Sequence, residues 1–183
     1  MRITLNGRET EVSCTSAFEL RDRLFSQDCI VILNGFQISE NMNLSDGDSI
    51  SIIRKGVMPD REQLESLMAA RHTPKVHEKV KKARVAVCGL GGLGSNIAVM
   101  LARTGVGYLK LIDFDIVEPS NLNRQNYYIE HLGMNKTDAL KSQIEKINPF
   151  ISVCTVNQRI TAENCADILS DCDIICEAFD STE

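Results

Sequence analysis

Three groups of residues have the types and spacing to do chemistry. The first is the turn Gly89-Leu-Gly91-Gly92-Leu-Gly94, set between the apolar run Arg84-Val-Ala-Val-Cys88 and an amphipathic stretch. Glycine allows a tight turn and lets a phosphate approach the backbone with no Cβ in the way, and a helix start adds unpaired N–H groups and partial positive charge. Asp113 ends the next apolar run about 20 residues on, where a carboxylate can take both hydroxyls of a ribose. By itself this pairing serves NAD, FAD, S-adenosylmethionine or ATP equally well, and a purely structural turn remains open.

The second group is the polar loop Asp113-Phe-Asp115-Ile-Val-Glu-Pro-Ser120-Asn121-Leu-Asn123-Arg124-Gln125. A dinucleotide dehydrogenase has no evident use for such a cluster. A triphosphate site does, because Arg124 can fork two phosphate oxygens while the amides of Asn121 and Gln125 donate to others. The third group is Lys136 and Asp180. Lys136 opens a helical stretch, where the dipole disfavours a cation unless an anion is near. Asp180 follows the last apolar run, on the edge where open α/β sheets bind ligands, and a carboxylate beside a triphosphate suits Mg²⁺. Each has a plainer reading: a solvated loop charge, an exposed helix residue and a helix cap. Their order along the chain favours the triphosphate site.

Other residues exclude chemistry. The seven cysteines are odd in number, sit mostly in apolar runs and lack zinc-ligand spacing, so they read as small buried hydrophobes in a reducing cytosol. His72, His77 and His131 are scattered and read as solvated. With 20 Lys+Arg against 25 Asp+Glu the net charge is -5, which excludes a general nucleic-acid binder. No apolar run approaches the roughly 18 residues of a membrane span.

The elements that must position these groups fall into two rhythms. In residues 1–56, the turn Asn6-Gly7 joins two short strands, Ser16-Ala-Phe-Glu19 opens a helix bearing Ala17, Leu20 and Leu24, and strands follow at Cys29–Leu33 and Ser49–Arg54. That order is one of a small β-grasp, or ubiquitin-like, domain. Residues 57–82 read as a helical connector, capped by Asp60 and Gln63 and stopped by Pro74, with a basic end. Residues 83–183 alternate strand and helix, predicting a Rossmann-like, mostly parallel α/β sheet. In that region Leu93, Ile97, Met100 and Leu101 mark the expected inner face of the first helix, and Leu140, Ile144 and Ile147 that of the second.

Gly89–Gly94, Asp113-Phe-Asp115, Ser120-Asn-Leu-Asn-Arg-Gln125 and Lys136 resemble, in order and spacing, the ThiF/MoeB/HesA family, bacterial relatives of ubiquitin-activating enzymes. Residues 1–56 are similar to the sulfur-carrier modules ThiS and MoaD. The resemblance implies ATP-dependent adenylation of the C-terminal glycine of a ThiS-like sulfur carrier, with thiamine biosynthesis as the expected pathway. It implies that Asp113 binds the ribose, that Gly89, Gly91, Gly92 and Gly94 wall the phosphates, and that Asn121, Arg124, Gln125 and Lys136 hold them. Asp180 would hold Mg²⁺, with Asp115 ordering the loop or assisting the metal. It further implies a cytoplasmic homodimer, with Arg71 as the candidate for the family arginine that reaches the neighbouring subunit's ATP. A sulfur-transfer cysteine and paired CxxC zinc ligands, found in many members, would lie beyond Glu183, so the ATP-binding domain is expected to be incomplete at its C-terminal end. The first module ends Ile53-Arg-Lys-Gly-Val-Met-Pro59, with neither Gly-Gly nor a free terminus, so a docking or assembly role is expected for it rather than that of substrate. Two other readings stay open: an NAD(P)- or FAD-dependent oxidoreductase, and a non-catalytic scaffold.

Overall fold

The computed structural model describes residues 1–25, 28–72 and 74–180. The chain divides into two compact units, Met1–Glu78 and Lys79–Glu183.

In the first unit Asn6 (φ 47°) and Gly7 (φ 79°) adopt the left-handed pair that a two-residue hairpin requires, joining β1 (Arg2–Leu5) to β2 (Arg8–Glu11). Ser16 stands at the N-cap of α1 (Ala17–Leu24) but makes no side-chain cap bond. Instead Glu19 accepts from the Thr15 N–H at 3.0 Å, and Asn41 Oδ1 accepts from the Phe18 N–H at 2.9 Å. β3 (Cys29–Leu33), β4 (Phe36–Ile38) and β5 (Ser49–Arg54) complete a sheet of order β2-β1-β5-β3-β4, with β1 and β5 parallel. The sequence reading lacks β4, whose three residues are too few to display a period.

Ile3, Val31, Leu33, Ile50 and Ile52 pack with Ala17 and Leu20 of α1 on one face of this sheet. On the other face Ile32, Ser51 and Ile53 are also buried. There α2 (Arg61–His72) touches β3, β4 and β5, and the Ser66 and Ser51 hydroxyls meet at 3.0 Å. Its start is capped reciprocally, Gln63 N–H to Asp60 Oδ1 at 2.8 Å and Asp60 N–H to Gln63 Oε1 at 3.2 Å. This packing carries the compact unit past residue 56. α2 stops ahead of Pro74, as expected of it, and Pro74 then opens α3 (Pro74–Lys82), where its missing N–H costs nothing.

The second unit runs β6 (Arg84–Cys88), α4 (Gly94–Thr104), β7 (Tyr108–Ile112), α5 (Lys136–Ile147), β8 (Ser152–Val156), α6 (Cys165–Leu169) and β9 (Ile174–Glu177). Its sheet has the order β8-β7-β6-β9 and every pairing is parallel, the Rossmann-like arrangement expected. From β6 the chain steps outward to β7 and β8, then returns past β6 to lay down β9. Right-handed crossovers then place α4 and α5 on one face and α6 on the other. Val85, Val87, Leu109 and Leu111 pack with Ala98, Ala102, Leu140 and Ile144 in the larger core. Ala86, Cys88 and Ile112 meet Ile168 and Leu169 in a smaller one. The inner face of α4 is rotated from the expectation. Ser95, Ala98, Val99 and Ala102 are buried and Ile97 and Leu101 pack against the core as expected, while Leu93 and Met100 are 63% and 65% exposed. Small residues let α4 sit close to the sheet. The histidines also depart from expectation: His131 and His77 are buried, and the side chain of His72 lies outside the described residues.

Candidate functional site

Reversal of direction between β6 and β9 splays the loops at the carboxyl ends of the strands and opens a crevice there. In the second unit that crevice is a cavity of about 410 Å³. Gly89, Gly91, Gly92, Asp113, Asp115, Arg124, Gln125, Lys136 and Asp180 all line it. Nine of the eleven site residues named from sequence therefore share one cavity.

The glycine turn divides by role. Gly89 has φ 87°, and a Cβ there would stand 2.9 Å from the Ala178 carbonyl oxygen at the end of β9. At Gly94 a Cβ would overlap the Gly89 carbonyl oxygen, so that residue packs the turn rather than lining the cavity. By contrast, a Cβ on Gly91 would meet nothing within 4 Å and would project into open space. The N–H groups of Gly91, Gly92 and Leu93 donate to no acceptor among the described residues. Their neighbouring carbonyls are all engaged: Leu90 O by Tyr127 Oη at 2.8 Å, Gly91 O by Ser95 Oγ at 2.6 Å, and Gly92 O by Asn96 Nδ2 at 2.6 Å. A run of free donors with tied-back acceptors is an anion cradle.

Asp113 is buried and fixed by two backbone donors, Leu90 N–H to Oδ2 at 2.6 Å and Asp115 N–H to Oδ1 at 2.8 Å. Each oxygen keeps a second lone pair for a hydroxyl. Lys136, the first residue of α5, is 7% exposed, and its Nζ lies 2.7 Å from Asp115 Oδ2. Asp115 thus supplies the anion that a cation at a helix start requires. The guanidinium of Arg124 is exposed, and Nη1 donates to Ser120 O at 3.2 Å and Asn123 Oδ1 at 3.0 Å. Gln125 Oε1 is buried and accepts no hydrogen bond among the described residues.

Asn121, expected on the phosphates, is not among the lining residues. It is buried outside the cavity lining, and its Oδ1 accepts from the Glu118 N–H at 2.9 Å, closing the 3-10 turn Pro119–Asn121. Its amide shapes the loop that delivers Arg124. The side chain of Arg71 lies outside the described residues. Eight further lining residues carry no site role in the sequence reading, the polar and aromatic ones among them being four. Gln158 and Arg159 come from the loop after β8, Phe114 and Phe179 from those after β7 and β9, and the Arg159 guanidinium lies 5.8 Å from the Phe114 ring centroid. Their only sequence mark is that they follow strands at the sheet's carboxyl edge.

Residues 64–183 match the ThiF family. The chain belongs to that family. Residues 1–56 of this ThiF-family chain match ThiS-like ubiquitin domains. It is 40% identical over 107 residues to the molybdopterin-synthase adenylyltransferase of Haemophilus influenzae, covering 58% of this chain and 44% of that protein. It is 39% identical over 113 residues to the sulfur carrier protein ThiS adenylyltransferase of Bacillus subtilis, covering 60% and 34%. The chain spans less than half the length of these curated relatives. Among solved structures it resembles E. coli tRNA N6-threonylcarbamoyladenosine dehydratase, TcdA, in complex with ATP, with TM-score 0.64 and 33% identity over 68% of this chain and 53% of that one.

Proposed function

We propose that this ThiF-family chain binds ATP in the crevice of its second unit and adenylates the C-terminal glycine of a ThiS-like sulfur-carrier protein. The observation that carries the reading is the convergence of Arg124, Lys136, Asp180 and the free N–H groups of the glycine turn on one cavity. The names of the adenylyltransferase relatives and the ATP complex of TcdA support it.

In the reaction the carrier's carboxylate oxygen attacks the α-phosphorus of ATP. A new O–P bond forms as the bond to pyrophosphate breaks, leaving an acyl-adenylate. Bringing a carboxylate to a phosphate opposes like charges by about 4 kcal/mol per unit pair at 4 Å and an effective dielectric near 20. Arg124 and Lys136 offset that repulsion and stabilise charge gathering on the departing pyrophosphate, while Asp113 fixes the ribose. No side-chain nucleophile is needed, so positioning and neutralisation do the work. No cluster of three or more metal-binding side chains is found among the described residues. Asp180 with Asp115 nearby nevertheless fits Mg²⁺, an ion held by one or two carboxylates plus substrate phosphates. Bound there, it would add charge neutralisation.

The ThiS-like match of residues 1–56 is the basis for inferring a ThiS-type carrier and thiamine biosynthesis. That module, lacking Gly-Gly, serves docking or assembly in a cytoplasmic homodimer, with the carrier as a separate protein. No helix among the described residues is long and apolar enough to cross a membrane. Calorimetric titration tests the binding step: Mg-ATP should bind, NAD should not, and Arg124→Ala should weaken ATP. Binding of NAD in preference would support the oxidoreductase reading instead.

A further inference from the structure

Tyr127 is absent from the cavity lining, yet it is bonded to the glycine turn that lines it. Its ring is buried in the core of the second unit, and its hydroxyl donates to Leu90 O at 2.8 Å. Leu90 is fully buried, and its N–H is held by Asp113 Oδ2. The residue that leads into the phosphate cradle is therefore gripped on both sides, by the proposed ribose carboxylate and by Tyr127. The neighbouring Asn126 adds a second tie. Its N–H donates to Ser95 Oγ at 3.0 Å, the same hydroxyl that donates to Gly91 O. Asn126 O accepts in turn from Gln143 Nε2 at 2.6 Å, on the helix that begins with Lys136.

We infer that Tyr127, seconded by Ser95, is a positioning residue for triphosphate binding: it turns the carbonyls of the glycine turn away from the crevice and registers that turn against the Arg124 loop and the Lys136 helix. The inference rests on the nucleotide-binding reading of the site and adds a role for residues that touch no substrate. Its physical content is simple. Carbonyl oxygens carry partial negative charge, so a turn free to present Leu90 O or Gly91 O to the crevice would repel phosphate where it now offers N–H groups. A nucleoside without phosphates does not sense that difference.

The test compares ATP with adenosine, by calorimetry or competition, in the wild-type chain, Tyr127→Phe and Ser95→Ala, with thermal melting of each. Tyr127→Phe keeps the buried ring and removes only the donor. Expected is a loss of about tenfold in ATP affinity, equivalent to about 1.4 kcal/mol, with adenosine affinity changed less than about twofold, and a smaller loss of the same selectivity in Ser95→Ala, where the Ser95 N–H still holds Gly91 O at 3.1 Å. Equal weakening of ATP and adenosine in both variants would reduce Tyr127 and Ser95 to packing residues and overturn the inference, as would unchanged ATP binding in both. Should Tyr127→Phe not fold, Ser95→Ala decides by the same ratio. A wild-type chain that binds neither ligand would overturn the nucleotide reading itself, and this inference with it.

Discussion

The ammonium of Lys136 stands 2.7 Å from the Asp115 carboxylate, and the two differ sharply in exposure: Lys136 keeps 7% of its side-chain surface in contact with solvent, Asp115 49%. The cation is thus enclosed at the cavity wall, and among the described residues its one salt-bridge partner is a carboxylate that solvent also reaches. Removing that partner leaves an enclosed charge. Asp115→Asn should cost about 1–2 kcal/mol, less than the 3–5 of a fully buried pair because half of this one is wet. A bound triphosphate would return an anion, so saturating ATP should raise the melting temperature more in Asp115→Asn than in the wild type. Lys136→Met should lose most of that ATP-dependent gain. Thermal melting with and without ATP measures both.

The glycines should separate by function when each is replaced with alanine. Gly94→Ala drives a Cβ into the Gly89 carbonyl and should cost more than about 2 kcal/mol in denaturant titration. Gly91→Ala meets no atom, so its stability should stay within about 1 kcal/mol of wild type while ATP affinity falls about tenfold or more. Equal loss of stability in both would contradict the division into packing and cradle glycines.

Acid should act on the second unit through Asp171. The Lys110 ammonium beside it holds its carboxyl well below the usual carboxylate range, with further hydrogen bonds from Tyr108 Oη and the Arg84 guanidinium. A carboxyl with a depressed folded value stabilises the protein above its unfolded value, near 3.8, and loses that contribution as pH falls through the folded value. Asp171→Asn should therefore be less stable than wild type near neutrality, and the gap should narrow in strong acid. Chemical denaturation across pH gives the two curves directly.

The Cys88 thiol, at the end of β6 and 2% exposed, is pushed up to about 11 by burial. Little thiolate exists at mildly alkaline pH, and reagent cannot reach it. Peptide mapping after iodoacetamide treatment should find Cys88 unmodified in the native chain and alkylated once it is unfolded.

The parts of the fold and site that could be read from sequence are those where one residue type has one physical use. Asn6-Gly7 makes a hairpin because few pairs adopt two left-handed conformations, and both do. The glycine turn and Asp113 announce a strand–turn–helix crevice because backbone approach to an anion tolerates little else. The inner face of α4 was hidden because periodicity weights large residues, whereas close packing on the sheet selects Ser95, Ala98 and Ala102. Asn121 carries a double meaning in sequence: an amide suits a phosphate or a turn equally, and only geometry shows its oxygen closing the Glu118 turn. His131 reads as surface until the fold turns it inward, where Nδ1 accepts from the Tyr128 N–H at 3.1 Å. Gln158 and Arg159 carry no local mark, since their place in the cavity comes from strand order alone.

ATP–pyrophosphate exchange tests the central claim most directly. The chain is supplied with Mg-ATP, labelled pyrophosphate and a separate ThiS-like carrier ending in Gly-Gly, beside reactions lacking the carrier or carrying Arg124→Ala. Label should enter ATP only when the carrier is present, and the Arg124→Ala reaction should fall at least about a hundredfold, the loss of a strong transition-state contact. Exchange that proceeds equally without carrier, or survives Arg124→Ala undiminished, would contradict the account.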